Sequence, residues 1–179
     1  MQNDIERVLI SEEQLEKKVS EIAEQISKDY EGKNPVFIGV LKGSFVFMAD
    51  LMRKINIYCD IDFMAVSSYG NKSETTGAVR IAKDLERDIE NREIIIVEDI
   101  LDSGLTLSYL MKYLLSRKPS SIRLCTLLDK PARRRVPIFP DYSGFEIPDS
   151  FVVGYGLDYA ERYRNLPYIG VLKPEIYTT

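Results

Sequence analysis

The stretch of sequence that decides the fold is residues 94–106, IIIVEDILDSGLT. Its first four residues are all apolar, which is typical of a strand buried on both faces of a parallel sheet. Similar apolar runs recur along the chain, at residues 36–41, 122–128, 151–153 and 168–172. Helical segments are predicted at residues 11–30, 44–55 and 106–117. Buried strands that alternate with helices predict an α/β fold with a mostly parallel, doubly wound sheet and helices on both faces.

The second half of this stretch carries polar groups at the end of a strand, where doubly wound sheets bind their ligands. Gly104 permits a tight turn, Ser103 and Thr106 supply hydroxyl donors, and the following helix presents unpaired backbone N–H groups to a phosphate. Glu98 and Asp99 would repel a phosphate, but they suit a divalent cation or sugar hydroxyls. The segment therefore predicts a ligand with both ribose hydroxyls and a phosphate. The alternative is a solvated acidic turn, and the interleaved apolar residues argue against it.

The composition excludes several classes of enzyme and partner. The chain has 179 residues and no histidine, which removes Ser-His-Asp and Cys-His catalysis and every His-ligated metal site. Its 24 basic and 28 acidic residues leave a net charge of −4, so nucleic acid is not an expected partner. The two cysteines, Cys59 and Cys125, are isolated, as is typical of a reduced compartment. Because neither a signal peptide nor a membrane-spanning stretch is visible, we expect a cytoplasmic protein of about one domain that does not bind membranes.

Residues 94–106 resemble the phosphoribosyl-pyrophosphate motif of the type I phosphoribosyltransferases. Further segments resemble one branch of that family, the hypoxanthine-guanine phosphoribosyltransferases, at residues 40–44 (VLKGS), 67–70 (SSYG), 127–130 (LLDK) and 151–159 (FVVGYGLDY). The order and spacing of these segments extend over nearly the whole chain. The resemblance implies a single domain over residues 1–179, with a mobile active-site loop at about 68–80. It also implies a small base-binding hood, built from about 130–179 together with the N-terminal segment.

The resemblance also implies a reaction and a cofactor. A 5-phosphoribosyl group would pass from phosphoribosyl pyrophosphate to hypoxanthine or guanine, giving IMP or GMP and pyrophosphate in purine salvage. Mg²⁺ would assist, because pyrophosphate needs a cation that prefers oxygen ligands. Related enzymes are commonly dimers or tetramers, so a homodimer or homotetramer is expected.

By the same resemblance, each part of the substrates has its own set of residues. The phosphoribosyl and phosphate groups would be bound by Glu98, Asp99, Asp102, Ser103, Gly104, Leu105 and Thr106. The pyrophosphate would be bound by Lys42, Gly43, Ser68, Tyr69 and Arg164. The purine would contact Lys130, Phe151, Val152 and Asp158, and the metal would be held by Glu98, Asp99 and Asp158. Asp102 would be the catalytic residue, which handles the proton of the purine imidazole ring. Leu105 departs from the family pattern, because some relatives carry lysine there.

Several of these residues also have a plainer interpretation. The alternatives are a helix cap for Asp102, an ordinary strand-to-helix turn for Lys42 and Gly43, a loop carboxylate for Asp158, a surface position for Arg164 and core positions for Phe151 and Val152. The arginine cluster at residues 133–135 is interpreted as a solvated face, with pyrophosphate attraction or subunit contacts as the alternatives.

The choice of base is predicted from Lys130, which offers only hydrogen-bond donors. A 6-oxopurine presents an acceptor to it, whereas adenine presents an amino donor and should be rejected. Two further hypotheses are a phosphoribosyltransferase for xanthine or adenine, and a nucleotide-sensing regulator of the same fold that binds nucleic acid. The acidic net charge argues against the regulator. A receiver-type signalling domain is the least supported, because its acidic pair should lie near the start of the chain.

Overall fold

The computed structural model of the chain describes residues 1–68 and 79–178, which form two β-sheets and four α-helices. The strands are β1 (Ile5–Ile10), β2 (Val36–Leu41), β3 (Asp60–Ser68), β4 (Val79–Lys83), β5 (Glu93–Leu101), β6 (Ser121–Asp129), β7 (Tyr142–Glu146), β8 (Val152–Val153) and β9 (Ile169–Leu172). The helices are α1 (Glu12–Asp29), α2 (Phe45–Met52), α3 (Leu105–Leu115) and α4 (Pro174–Tyr177). None of these helices combines the length and the apolar character that crossing a bilayer needs.

The main sheet has six strands in the order β4-β3-β2-β5-β6-β7. Strands β3, β2, β5, β6 and β7 run parallel and the edge strand β4 is antiparallel, which confirms the mostly parallel sheet. In the central strand β5, Ile95 and Val97 face a core shared with α1 and α2, whereas Ile94 and Ile96 face a core shared with α3. Helices therefore cover both faces, as the run of four apolar residues predicts.

Helix α1 forms where its local sequence predicts it. The hydroxyl of Ser11 accepts from the N–H of Gln14 at 3.2 Å, and the Gln14 side chain accepts from the N–H of Ser11 at 2.8 Å. Such a capping box stabilises the first turn by about 1 kcal/mol. Apolar side chains then recur every three or four residues and are buried, at Leu15, Val19, Ile22 and Ile26.

A second, smaller sheet joins the two ends of the chain. Its three strands are antiparallel in the order β1-β9-β8, which confirms a hood built from the terminal segments. Residues 151–153 and 168–172, predicted as two more buried strands, pair in the hood, within the segment that the resemblance assigns to it. An apolar run indicates that a strand is buried, but it does not specify the partner or the direction of that strand.

Candidate active site

The carboxyl ends of β2, β5 and β6 meet at one edge of the main sheet, because these strands are parallel neighbours. Lys42 and Gly43 follow β2, Glu98 and Asp99 lie near the end of β5, and Lys130 follows β6. The structure thus brings residues predicted for the pyrophosphate, the ribose and the purine to the same edge.

Glu98 and Asp99 form an enclosed pair of carboxylates. Glu98 is 9% exposed, and burial together with the neighbouring carboxylate raises its pKa well above the ordinary range. Burial also raises the pKa of Asp99, although hydrogen bonds with Glu98 and with the N–H of Ile100, and then the Arg164 guanidinium, oppose this effect. A Cβ on Gly43 would overlap Oδ2 of Asp99, so the turn after β2 passes directly over the pair. This environment favours a cation or hydroxyl donors as the ligand.

The turn into α3 has the form that the sequence predicts for a phosphate loop. Gly104 has a φ of 80°, in the left-handed region that favours glycine, and Leu105 is the first helical residue. The hydroxyl of Ser103 accepts from the N–H of Leu105 at 3.4 Å. Leu105 and Thr106 are exposed in the first helical turn, where the backbone N–H groups have no partner within the helix.

A cavity of about 330 Å³ opens beside this turn and collects residues predicted for the purine and for catalysis, namely Asp102, Lys130, Phe151 and Val152. Oδ1 of Asp102 is buried and has no hydrogen-bond partner among the described residues. Lys130 is 6% exposed, and its ammonium donates to the carbonyl of Ser150 at 3.0 Å. The cavity therefore offers both a buried acceptor and a buried donor to a ligand. A larger cavity of about 550 Å³ lies between α1 and α2, away from these residues.

Phe151 stands beside the cavity with 38% of its surface exposed. Its ring stacks on that of Tyr177 with a centroid separation of 4.7 Å and meets the edge of Tyr159 at 5.6 Å. Tyr177 also lines the cavity, and it was missed in the sequence analysis because no motif includes it. The one indication in the sequence that Tyr177 belongs to the site is its place in the segment that the resemblance assigns to the base-binding hood.

Ion pairs organise the segment after β8. The Arg164 guanidinium contacts Asp158 at 3.0 Å and donates to the carbonyl of Gly156 at 2.8 Å. Glu161 contacts Arg164 at 3.4 Å and accepts from the ammonium of Lys42 at 3.0 Å, which lowers the pKa of Glu161. The structure thus links Lys42 to Arg164 through Glu161, a residue that the sequence analysis did not select. The Asp158 carboxylate is engaged by Arg164 and does not line the cavity.

Ser68, which was predicted for the pyrophosphate, lies at the end of β3. This strand ends at Ser68 and runs parallel to β2. Tyr69 lies outside the described residues, as does most of the loop predicted at 68–80. The peptide bond between Leu41 and Lys42 is cis.

The arginine cluster at 133–135 is not the uniform solvated face that was predicted. Arg133 and Arg135 are exposed, and Arg133 donates to the Asp149 carboxylate at 2.7 Å beside the cavity. The side chain of Arg134 is 11% exposed, so the prediction is wrong for this residue. Three identical residues in a row carry no signal for which one is buried.

The family follows from comparison with known proteins. The family model of the phosphoribosyl transferase domain matches residues 9–160. The chain belongs to the phosphoribosyltransferase family. This finding confirms the resemblance seen in residues 94–106.

The relatives of this phosphoribosyltransferase include named enzymes. It is 58% identical over 177 residues to the hypoxanthine-guanine phosphoribosyltransferase of Bacillus subtilis, with 99% of this chain and 98% of that protein covered. A crystal structure of a hypoxanthine phosphoribosyltransferase from Staphylococcus aureus matches with a TM-score of 0.96 at 52% identity, covering 100% of this chain and 97% of that one. The chain is also 57% identical over 178 residues to a bifunctional TilS/HprT protein of Listeria innocua; this match covers 99% of the chain, which spans 28% of the length of that protein.

The donor set of this phosphoribosyltransferase fits Mg²⁺. Glu98 and Asp99 offer carboxylate oxygens, and burial raises the pKa of both groups because it disfavours their charged forms. Among the described residues, no three acidic, cysteine or histidine side chains lie close enough to enclose a metal ion. Mg²⁺ usually binds one or two carboxylates and completes its shell with water and substrate phosphates. The acid pair therefore suits a metal that arrives with the substrate.

Proposed function

We propose that this phosphoribosyltransferase transfers the 5-phosphoribosyl group of phosphoribosyl pyrophosphate to hypoxanthine or guanine, giving IMP or GMP and pyrophosphate in purine salvage. The observation that carries this proposal is that Asp102 adjoins both the phosphate loop and the base cavity. It precedes the phosphate loop, and it also lines the base cavity. A phosphorylated sugar and a purine would meet at this residue. The similarity to hypoxanthine-guanine phosphoribosyltransferases over the whole chain supports the same activity.

The sugar binds at the end of β5. Glu98 and Asp99 accept hydrogen bonds from the ribose hydroxyls and hold Mg²⁺. When it is bound, Mg²⁺ offsets the negative charge of the pyrophosphate group. Residues 103–106 donate to the 5-phosphate from hydroxyl and backbone groups. Lys42 and Arg164 provide positive charge on the side of the leaving pyrophosphate.

The reaction exchanges two bonds at the anomeric carbon. The carbon–oxygen bond to pyrophosphate breaks while an imidazole nitrogen of the purine bonds to the same carbon, so the transition state resembles an oxocarbenium ion. Catalysis then rests mainly on positioning and electrostatics. Asp102 accepts the proton that the imidazole ring loses, and the support for this role is its buried Oδ1, which lacks a partner among the described residues.

The base is selected at the end of β6. The ammonium of Lys130 donates to the 6-oxo group of hypoxanthine or guanine, whereas adenine would place its amino donor against the same ammonium. Phe151 stacks on the ring. The backbone carbonyl of Val152 accepts from the purine N1–H, and the backbone carbonyl of Asp158 accepts from the amino group of guanine.

A spectrophotometric assay with phosphoribosyl pyrophosphate, Mg²⁺ and each of hypoxanthine, guanine, xanthine and adenine tests this function. We expect turnover with hypoxanthine or guanine and none with adenine. Turnover with adenine only, or a lack of turnover with all four bases, would contradict the proposal. The Asp102→Asn variant should keep its fold and lose most of its turnover, and near-parent turnover would remove Asp102 from the proton-transfer role.

We also propose that the chain assembles as a homodimer or homotetramer through an apolar groove beside α2. The groove is lined by Leu41, Phe45, Met48, Ala49, Met52, Ile61 and Phe63. Phe45 and Ile61 are 44% and 47% exposed, which is typical of a surface that is covered in an assembly. Light scattering after size exclusion should give at least twice the 20.6 kDa chain mass, and Phe45→Glu should reduce it. A parent protein that measures as one chain would contradict this proposal.

The remaining predictions concern location and organisation. We propose a cytoplasmic location, supported by the free thiols of Cys59 and Cys125. A single domain over residues 1–179 and a mobile loop at about 68–80 stay predictions.

A further inference from the structure

The side chain of Arg134 is held between the phosphate loop and the strand that carries the base-selecting lysine. Each of its three nitrogens has a protein partner. Nε donates to the carbonyl of Asp102 at 3.1 Å, Nη1 donates to the carbonyl of Ile138, and Nη2 pairs with the carboxylate of Asp129. The guanidinium thus joins three separate parts of the chain.

The segment that follows Arg134 packs against the same turn. The N–H of Arg135 donates to the carbonyl of Ser103 at 2.9 Å. A Cβ on Gly104 would overlap the side chain of Ile138, so the two segments are in close contact at that point. The back of the phosphate loop is therefore supported by this segment, with Arg134 at its start.

We propose that Arg134 is a positioning residue for the transfer reaction, an inference that rests on the proposed function. By holding the carbonyl of Asp102, it fixes the turn from which the Asp102 carboxylate enters the base cavity. By pairing with Asp129, it ties this turn to the end of β6, next to Lys130. The proton acceptor and the base-selecting ammonium therefore keep a fixed separation.

Two features distinguish this role from direct substrate binding. The charge of Arg134 is paired with Asp129, and Arg134 does not line the base cavity, whereas its neighbour Arg133 does. A role through geometry predicts that lysine will not replace Arg134. An ammonium keeps the charge, but it lacks the planar fork that reaches three partners in fixed directions.

The variants Arg134→Lys, Arg134→Ala and Asp129→Asn test the inference. We expect Arg134→Lys to fold and to lose about tenfold to a hundredfold in kcat, the range expected when a hydrogen bond to a charged group is lost. The KM for hypoxanthine should change less, because the loss concerns the transition state. Millimolar guanidinium should restore part of the kcat of Arg134→Ala, whereas equal sodium chloride should not. Asp129→Asn should lower kcat as well, because its neutral amide oxygen holds Nη2 less strongly than the carboxylate does.

Arg92→Lys is the matched control. Arg92 donates to the carbonyl of Asn34 at 3.0 Å and pairs with Asp60 at 2.7 Å, before the start of β5 and so at the opposite end of this strand. Its kcat should stay within about twofold of the parent value.

The parent chain is assayed first, so that two failures can be distinguished. A parent without turnover contradicts the proposed function. With an active parent, a folded Arg134→Lys enzyme of unchanged kcat overturns the role of Arg134 alone, and so does a loss of activity that only follows the folded fraction in thermal melts. If Arg134→Ala does not fold, Arg134→Lys and Asp129→Asn decide the matter, and an unchanged kcat in both overturns the inference.

Discussion

Lys130 offers a direct test of how the base is chosen. Its side chain is 8% exposed, and its ammonium donates to the carbonyl of Ser150 at 3.0 Å and lies 4.0 Å from the carboxylate of Asp149. Lys130→Met keeps an unbranched side chain in the cavity and removes the donor. Hydrogen bonds to charged groups contribute about 1.5–3 kcal/mol, so losing the bond to the 6-oxo group should lower kcat/KM for hypoxanthine by about 10- to 150-fold.

The fold should survive this change, because methionine replaces a buried charge whose carboxylate partner is 4.0 Å away. Adenine no longer meets a donor, so the ratio of kcat/KM for hypoxanthine to that for adenine should fall by at least the same factor. Steady-state assays with both bases measure this ratio. Lys112→Met, at an exposed position of α3, is the matched control and should leave kcat/KM for hypoxanthine within about twofold of the parent. A folded Lys130→Met enzyme with the parent ratio would refute the assignment of Lys130 to the 6-oxo group.

Three further changes test other parts of the site. Gly43→Ala should fold but lose most of its turnover, because the added methyl overlaps the Asp99 carboxylate. Steady-state kinetics and thermal melts of the variant measure this, and kinetic constants equal to those of the parent would contradict it. Glu98→Gln should stabilise the fold, and Tm should rise by about 2–4 °C for each kcal/mol added to the free energy of unfolding. Burial raises the pKa of Glu98, so its charged form destabilises the fold as pH rises above the ordinary value of 4.5. The gain in Tm should therefore appear at about pH 7.5 and vanish at about pH 4. An equal gain at the two pH values would show that the buried charge of Glu98 is not its cause. Tyr177→Ala should raise the KM for hypoxanthine by about two- to tenfold, because Phe151 loses its stacking partner, whereas Tyr177→Phe should not; equal KM values for the two variants would exclude this stacking as the cause.

The centre of the fold could be predicted from the sequence because a run of consecutive apolar residues indicates a strand that is buried on both faces. Residues 94–97 are apolar at every position, and the structure divides them between the two cores. Helix α1 was predicted for the same reason, since its capping box and its apolar stripe are both local. The hood strands β1, β8 and β9 could not be paired in advance. Strands β1 and β9 lie at opposite ends of the chain, β8 pairs with β9 rather than with the main sheet, and no local pattern encodes these pairings.

The chemistry of the candidate site was more predictable than its geometry. The rule that ligands bind at strand ends selected residues 98–106 directly. The close contacts that assemble the site depend on residues without a side chain. A Cβ on Gly43 would overlap Asp99, and a Cβ on Gly156 would overlap the carbonyl of Gly43. A glycine in the sequence does not show which backbone it approaches, so these contacts could not be read from the motifs.

The groups proposed to bind substrate are those that the protein alone leaves poorly satisfied. Burial and mutual repulsion raise the pKa of Glu98, and Oδ1 of Asp102 has no partner in the described part of the chain. Each deficit matches a group that the proposed substrates carry: ribose hydroxyls and a cation for the acid pair, and an imidazole N–H for Asp102. Folding therefore retains an energetic cost that binding can relieve. At these positions, substitutions that stabilise the free chain should be the ones that remove activity.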